Sequence, residues 1–268
     1  MITQILDTDY IQASDLMVGA NHATLDDTLN RAALKLADIV GATVPLIDTV
    51  QYTYTDDQTV TLAAGGTCGT SDGLAVITLD ADVVMTLTAH LTTGQTLAAG
   101  WWYIWIGQTA AGATIARFSS SANALPAEMV RGRRLTAGIS VYYDVDTYKI
   151  RAFDFDGRYY RYYVPISLLI GTAPTTSTAV SLAAYAPADV LAGRLHVAGN
   201  AVLASSDAVL TWSVDGSVWY PVHYGSRPAS VSYQFPQLIA WTPLSLNNYY
   251  QFDAAWTDVT MQLDMLEV

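Results

Sequence analysis

After Pro45, short runs of β-branched and aromatic residues alternate with clusters of turn-forming residues along the rest of the chain. The clusters include GGTCGTSDG at 65–73, TTGQ at 93–96, DVDT at 144–147 and DFDG at 154–157. Such clusters mark the ends of strands, and no helical pattern separates the runs. We therefore predict a mainly β chain built from antiparallel β-sandwich units of a jelly-roll-like kind.

The predicted strands fall into two groups, one on each side of the segment GTAPTTSTA at 171–179. The first group comprises 59–63, 74–79, 83–89, 101–107, 114–119, 135–143, 149–154 and 158–164. The second group comprises 181–184, 190–198, 208–214, 230–235, 237–241, 249–255 and 260–266. Small residues and a proline make 171–179 the best candidate for a linker. It divides a first β domain at 46–170 from a second β-sandwich domain at 180–268.

One helix is predicted, over residues 24–40 (TLDDTLNRAALKLADIV) within an N-terminal attachment segment at 1–45. Thr24 can cap it, and Asp26 and Asp27 lie in its first turn, where the helix dipole favours negative charge. Apolar residues recur at heptad spacing along one face: Leu25, Leu29, Ala32, Leu36 and Ile39. This seam fits a short bundle between identical chains, or an amphipathic helix packed on its own domain.

Charged residues make up only 13% of the 268 residues, whereas hydrophobic residues make up 51%. A surface with so few charges fits subunits that bury area against one another. The net charge of −12 argues against a protein that coats nucleic acid. Apolar runs such as 164–170 are too short to cross a bilayer, and the N-terminus lacks a signal-peptide pattern, so we expect synthesis in the cytoplasm and no membrane insertion.

The stretch YYDVDTYKIRAFDFDGRYYRYYV at 142–164 holds two Asp-x-Asp pairs, Asp144/Asp146 and Asp154/Asp156. A catalytic metal site would need further carboxylates or a histidine from elsewhere. Each pair instead lies at a predicted tight turn, where Asp bonds its own backbone and tolerates unusual dihedral angles. We predict that these residues form turns, and a structural Ca²⁺ at either turn is the alternative.

No other pattern predicts catalysis, a cofactor or a metal. The four histidines, His22, His90, His196 and His223, have no ligand-spaced partner. Cys68 is the only cysteine, which excludes an intrachain disulfide and a cysteine-based zinc site. Six of the twelve basic residues cluster in one region: Arg131, Arg133, Arg134, Arg151, Arg158 and Arg161. They could bind an anion or nucleic acid, but pairing with the surplus aspartates or with a neighbouring subunit is the preferred interpretation.

Aromatic residues suggest a second kind of contact. Trp101, Trp102, Tyr103 and Trp105 could stack on sugar rings, although strand alternation assigns half of them to the core. A second group on the predicted strand 158–164 could contact a glycan or a neighbouring subunit: Tyr159, Tyr160, Tyr162 and Tyr163.

Residues 98–164 resemble a β-rich module of tailed-bacteriophage structural proteins, especially tail fibres. The resemblance rests on an ordered set of elements: Gly100–Trp105, Phe118–Ser121, Leu125–Pro126, Arg133–Gly138, Asp144–Asp146 and Arg158–Tyr163. Residues 59–79 look like its leading portion, and the match extends loosely into 180–258. This chain departs from the pattern at the hairpin tip, where Asp-Thr replaces Ser/Gly-Asn, and by the additional Arg131.

The resemblance implies a virion component, commonly a homotrimer, whose N-terminal part docks on other virion proteins of the capsid or tail. It transfers no catalytic residue. We expect a non-enzymatic trimeric fibre or decoration protein, assembled in the host cytoplasm. Two alternatives remain, a receptor-recognition module that binds a host glycan and a tail-tip or baseplate component. A glycan depolymerase would need paired carboxylates, for which Asp144, Asp146, Asp154 and Asp156 are the candidates.

Overall fold

The computed structural model describes residues 49–268, with the exception of residues 74, 173, 203–206, 227–231 and 253–255. The predicted attachment segment at 1–45 and its helix at 24–40 lie outside the described residues. Every regular element in the described part is a β-strand, which confirms the prediction of a mainly β chain with antiparallel sheets. In chain order the strands are β1 (Tyr52–Asp56), β2 (Thr59–Leu62), β3 (Thr67–Gly69), β4 (Val76–Thr78), β5 (Val83–Thr86), β6 (Gly100–Gln108), β7 (Thr114–Ser119), β8 (Arg131–Asp144), β9 (Thr147–Ile150), β10 (Phe153–Phe155), β11 (Tyr159–Gly171), β12 (Thr178–Ser181), β13 (Ala192–Val202), β14 (Asp207–Ser213), β15 (Tyr220–Ser226), β16 (Ser232–Pro243), β17 (Asn247–Phe252) and β18 (Trp256–Glu267).

These strands form five sheets. Two small sheets come first, with strand orders β1-β2-β5 and β3-β4. A four-stranded sheet follows, in the order β7-β6-β8-β9. A five-stranded sheet has the order β10-β11-β18-β13-β16, and a second four-stranded sheet has the order β12-β17-β14-β15.

The five-stranded sheet joins strands from both sides of the predicted linker. Strand β11 precedes residue 171 and pairs with β18, which follows residue 179, from Tyr159↔Glu267 to Gly171↔Val259. Residues 174–177 form an irregular connection before β12 begins. The division into two domains stays a prediction, and strand pairing runs across it.

The sequence prediction lacks β1, β3 and β15, and several of its other strands differ from those of the structure. The predicted strand 149–154 is two strands, because the chain leaves the sheet of β8 after Ile150 and joins the sheet of β11 at Phe153. The predicted strands 230–235 and 237–241 are one strand, β16, which contains Pro236. Proline is tolerated there because β16 lies at a sheet edge. The predicted strand 181–184 is wrong, since β12 ends at Ser181 and a turn follows.

The buried apolar side chains of all the sheets belong to one hydrophobic cluster. Strand β6 contributes six consecutive residues to it, Trp101 to Ile106, and each residue from Trp101 to Gly107 is buried. Alternation predicts that half of these aromatic residues face away from the core, but both faces of β6 are covered. Trp101, Trp102, Tyr103 and Trp105 are therefore core residues.

Candidate functional site

The first Asp pair forms the turn between β8 and β9. Asp144 pairs with Thr147, and the two residues between them have positive φ angles, 38° at Val145 and 69° at Asp146. Two central residues with positive φ are characteristic of the type I′ turn that suits a twisted hairpin. Nζ of Lys149 lies 2.9 Å from the Asp144 carboxylate. The prediction of a turn at this pair is confirmed.

The second Asp pair lies between β10 and β11. The Asp156 carboxylate accepts hydrogen bonds from the backbone N–H groups of Arg158 (3.0 Å) and Tyr159 (2.7 Å), and Gly157 has a φ of 94°. The hydrogen bond from Tyr159 leads the interactions that lower the pKa of Asp156. Arg161 contacts both carboxylates, at 3.2 Å from Asp154 and 3.1 Å from Asp156. Asp156 and Gly157 form the turn that the sequence predicts, whereas Asp154 lies in β10 and pairs with Arg161 on β11. Arg161 offsets part of the charge of the two carboxylates.

No group of three or more His, Cys, Asp or Glu side chains with metal-binding geometry occurs in the described part of the chain. Cys68 is buried, so its thiol is not accessible. His90 is half-buried and accepts a hydrogen bond from the Thr86 N–H, and His196 lies beside Asp264. These groups do not converge on one another.

Three of the clustered arginines form ion pairs, as the preferred interpretation predicts. Arg134 contacts Asp189 at 2.6 Å, Arg158 contacts Glu267 at 2.6 Å, and Arg161 contacts Asp154 and Asp156. Arg131 lines a separate depression of about 240 Å³ together with Trp105, Asn123 and Leu125.

Arg151 lies in a different environment from the three ion-paired arginines. Its guanidinium makes no hydrogen bond or ion pair to any residue that the structure describes, and its Nε is buried without a partner. The guanidinium carbon lies 4.6 Å from the ring centre of Tyr142 and 5.3 Å from that of Tyr185, within cation–π range. A cation is thus held by two aromatic rings without an opposing carboxylate.

The fold creates a cleft around Arg151 at the corner where the chain changes sheets. The Arg151 N–H bonds Ser140 O in β8, whereas Ala152 O accepts from the Tyr163 N–H in β11. The change of sheet leaves a space of about 220 Å³, lined by Tyr54, Asp57, Tyr142, Ile150, Arg151, Ala152 and Val164. Most of these residues belong to the stretch 142–164 that the sequence singles out for its aspartates.

The four tyrosines predicted as contact residues fall into two pairs. Tyr160 and Tyr162 are buried, and burial raises the pKa of both phenols. Tyr159 is half-buried, and Tyr163 is exposed. Among these four, a role at a surface is open to Tyr159 and Tyr163, and for them it stays a prediction. The heptad residues Leu25, Leu29, Ala32, Leu36 and Ile39 lie outside the described residues.

No family model matches the sequence, and no curated protein matches it. In the described residues, no helix is long and apolar enough to cross a membrane.

Proposed function

We propose that this chain is a non-enzymatic structural component of a bacteriophage virion. In this proposal it is a trimeric fibre or decoration protein that docks through its segment at 1–45. The antiparallel sheets are arranged as jelly-roll-like sandwich units, and the helix at 24–40 forms a threefold bundle. The resemblance of residues 98–164 to a phage structural module is the sequence support for the proposal.

The observation that carries the proposal is the apolar surface of the sheets. Large hydrophobic side chains are exposed on β11, among them Tyr163 and Ile170, the latter with 72% of its surface accessible. Ile239 and Trp241 are exposed on the edge strand β16. Ion pairs such as those of Arg158 and Arg161 neutralise several of the few charges. Such a surface favours burial between subunits, and interfaces of this kind bury on the order of 1,000 Å² or more.

The oligomeric state tests the trimer. Light scattering of the purified full chain should give a mass near three times the 28.9 kDa of one chain. Leu29→Asp and Leu36→Asp place charges in the predicted seam and should lower this mass, because a buried carboxylate is costly. Lys35→Asp is the matched control outside the seam and should keep the trimer. A wild-type chain that is monomeric at all accessible concentrations contradicts the trimer.

Composition of the particle tests the virion assignment. Virions purified from host lysate should contain the chain, and a label fused after Val268 should be visible at fixed positions on intact particles. These positions distinguish a head or tail fibre from a tail-tip or baseplate component. Absence of the chain from purified virions contradicts the proposal.

A further inference from the structure

The cleft at the chain corner has the dimensions of a small-ligand site. Its volume of about 220 Å³ is below the range typical of drug-sized ligands, so it suits a ligand with a single ring. Its walls come from the turn after β1 (Asp57), from β8 (Tyr142), from the corner itself (Arg151) and from β11 (Val164). The side of the cleft near β1 is fixed by the hydrogen bond from the Ile150 N–H to Asp57 O, which is 2.7 Å long.

Arg151 supplies donors that the described part of the protein leaves unused. The guanidinium carries five N–H groups in a planar fork that matches a carboxylate. The rings of Tyr142 and Tyr185 hold the fork, so little side-chain freedom is lost when an anion binds. A buried guanidinium N–H without an acceptor costs free energy, and an anion in the cleft removes that cost for the remaining donors.

The charges around the cleft limit the ligand to a single negative charge. Asp57 lies in the cleft wall, and its carboxylate is 3.6 Å from Nζ of Lys149. Lys149 also pairs with Asp144, and this hydrogen bond raises the pKa of Lys149. Lys149 therefore offsets part of the charge of Asp57 and Asp144, while Arg151 has no carboxylate partner among the described residues. A dianion such as phosphate would meet more repulsion from Asp57 than a monoanion does.

We propose that this cleft binds one carboxylate carried on a small ring, with the guanidinium of Arg151 as the anchor. The carboxylate takes two parallel N–H bonds from the fork, and the ring lies toward Tyr54 and Val164. Neither Tyr54 nor Tyr142 makes a side-chain hydrogen bond within the described residues, so their phenol groups are open to ring hydroxyls. The site goes beyond the structural role proposed above and does not depend on it.

Ligand-observed NMR titration of the full chain tests the proposal with four probes. Glucuronate and benzoate each carry one carboxylate on a six-membered ring, one hydroxylated and one apolar. Glucose lacks the carboxylate, and inorganic phosphate is a compact anion without a ring. We expect binding of at least one carboxylate, and at least about tenfold weaker binding of glucose and phosphate. If glucuronate binds more tightly than benzoate, the ligand class is an acidic sugar. If benzoate binds more tightly, the ligand class is an apolar aromatic acid. Failure of both carboxylates to bind overturns the proposal.

Variants identify the anchor. Arg151→Gln should weaken carboxylate binding by about tenfold or more, and Arg151→Lys should restore only part of it, because an ammonium lacks the fork. Arg161→Gln makes the same change outside the cleft and should bind as the wild type does. Unchanged binding by folded Arg151→Gln overturns the proposal.

Val164 provides a test that does not alter Arg151. Its side chain is 73% exposed at the cleft, so polar substitutions there are tolerated by the fold. Val164→Glu should weaken carboxylate binding and Val164→Lys should strengthen it, each by a few-fold at low salt. If the two variants bind the carboxylate with equal affinity, the carboxylate does not lie in this cleft. This comparison decides the question even if Arg151→Gln does not fold.

Discussion

Asp264 is an acidic side chain largely withdrawn from water, with 12% of its side chain exposed. It lies at a bulge of β18, because Met265 pairs with Arg194 whereas Leu263 pairs with the next residue, Leu195. Nε and Nη2 of Arg194 approach its two oxygens at 2.9 and 2.5 Å, and Nε2 of His196 lies 2.9 Å away. Burial alone would raise the pKa of Asp264, but Arg194 and His196 outweigh it and lower the pKa. The charged carboxylate therefore stabilises the folded chain.

Asp264→Asn should lower the free energy of unfolding by about 2 kcal/mol at neutral pH, because Arg194 loses a charged, bidentate partner. The pKa of the folded form lies below the ordinary 3.8, so the contribution is complete above that pH. It is lost as pH falls through the lowered folded pKa. Urea unfolding at several pH values should show the gap between wild type and variant closing only in acid. Asp146→Asn, at an exposed turn, is the control and should change stability by less than about 0.5 kcal/mol. Equal losses in both variants contradict the role of the Arg194 pair.

Gly138 marks a close approach between β8 and β6. A Cβ added there would collide with the carbonyl oxygen of Trp102 and lie 2.9 Å from Nε1 of Trp101. The nearest atom is a backbone oxygen of β6, which is hydrogen-bonded to β8. The two strands therefore cannot move apart to accommodate a Cβ without losing hydrogen bonds between them. Gly138→Ala should destabilise the protein by about 3 kcal/mol, measured as a lower midpoint in urea. Thr136→Ala changes an exposed residue of the same strand and should cost less than about 1 kcal/mol. A midpoint for Gly138→Ala equal to that of Thr136→Ala contradicts the close approach.

The β8–β9 hairpin is an element whose turn residues do not all suit its geometry. Asp146 tolerates a positive φ, but Val145 is β-branched and adopts a φ of 38°, which is unfavourable for such a side chain. Its side chain is 85% exposed and gains little from packing. Val145 therefore carries local backbone strain in this turn.

Val145→Asn should raise the free energy of unfolding by about 1 kcal/mol, because Asn adopts left-handed conformations more readily. Val84→Asn makes the same substitution at an exposed position inside the edge strand β5. It should not raise the free energy of unfolding, because Asn is a poor strand former. Thermal unfolding of both variants checks the difference. A gain at Val84 equal to that at Val145 would show that polarity, and not the turn, is responsible.

Local elements are the part of this fold that the sequence predicts well. Turn residues and β-branched runs locate most strands, including the β8–β9 hairpin, because these signals arise within a few residues. Which strands pair with one another in a sheet is not indicated by such short-range signals. The sequence does not indicate that β11 pairs with β18, nearly one hundred residues away, or that β6 is covered on both faces.

The cleft around Arg151 was missed for the same reason. The sequence predicts one strand over 149–154, in which Arg151 would be an ordinary strand residue beside Lys149 and Phe153. The cleft exists because the chain changes sheets at residues 151–152. The position of the Arg151 guanidinium between Tyr142 and Tyr185 follows from the tertiary structure and not from the local sequence. The sequence shows the tyrosines and arginines of this stretch, but it does not show which of them lie next to one another in the fold.

At the scale of the whole molecule, the parts before and after the predicted linker share a sheet and several side-chain contacts. Eight residue pairs join β11 to β18. Arg134 bonds Asp189, the Ser140 hydroxyl donates to Ala184 O at 2.8 Å, and the Tyr103 hydroxyl accepts from the Ala188 N–H at 3.0 Å. A chain held in this way should unfold as one cooperative unit, since neither part retains its hydrogen bonds without the other.

Cleavage of the linker tests this unity directly. A protease recognition sequence inserted between Thr176 and Ser177, both exposed, leaves the paired strands intact. After cleavage the two pieces should co-elute in gel filtration and separate only in denaturant, because β11 remains hydrogen-bonded along β18. The uncleaved insertion variant is the control, and its urea unfolding should follow a single transition by both fluorescence and circular dichroism. If the pieces separate in native buffer and each keeps its own strand signal, residues 171–179 divide two independent domains, and the β11–β18 ladder contributes little to holding them together.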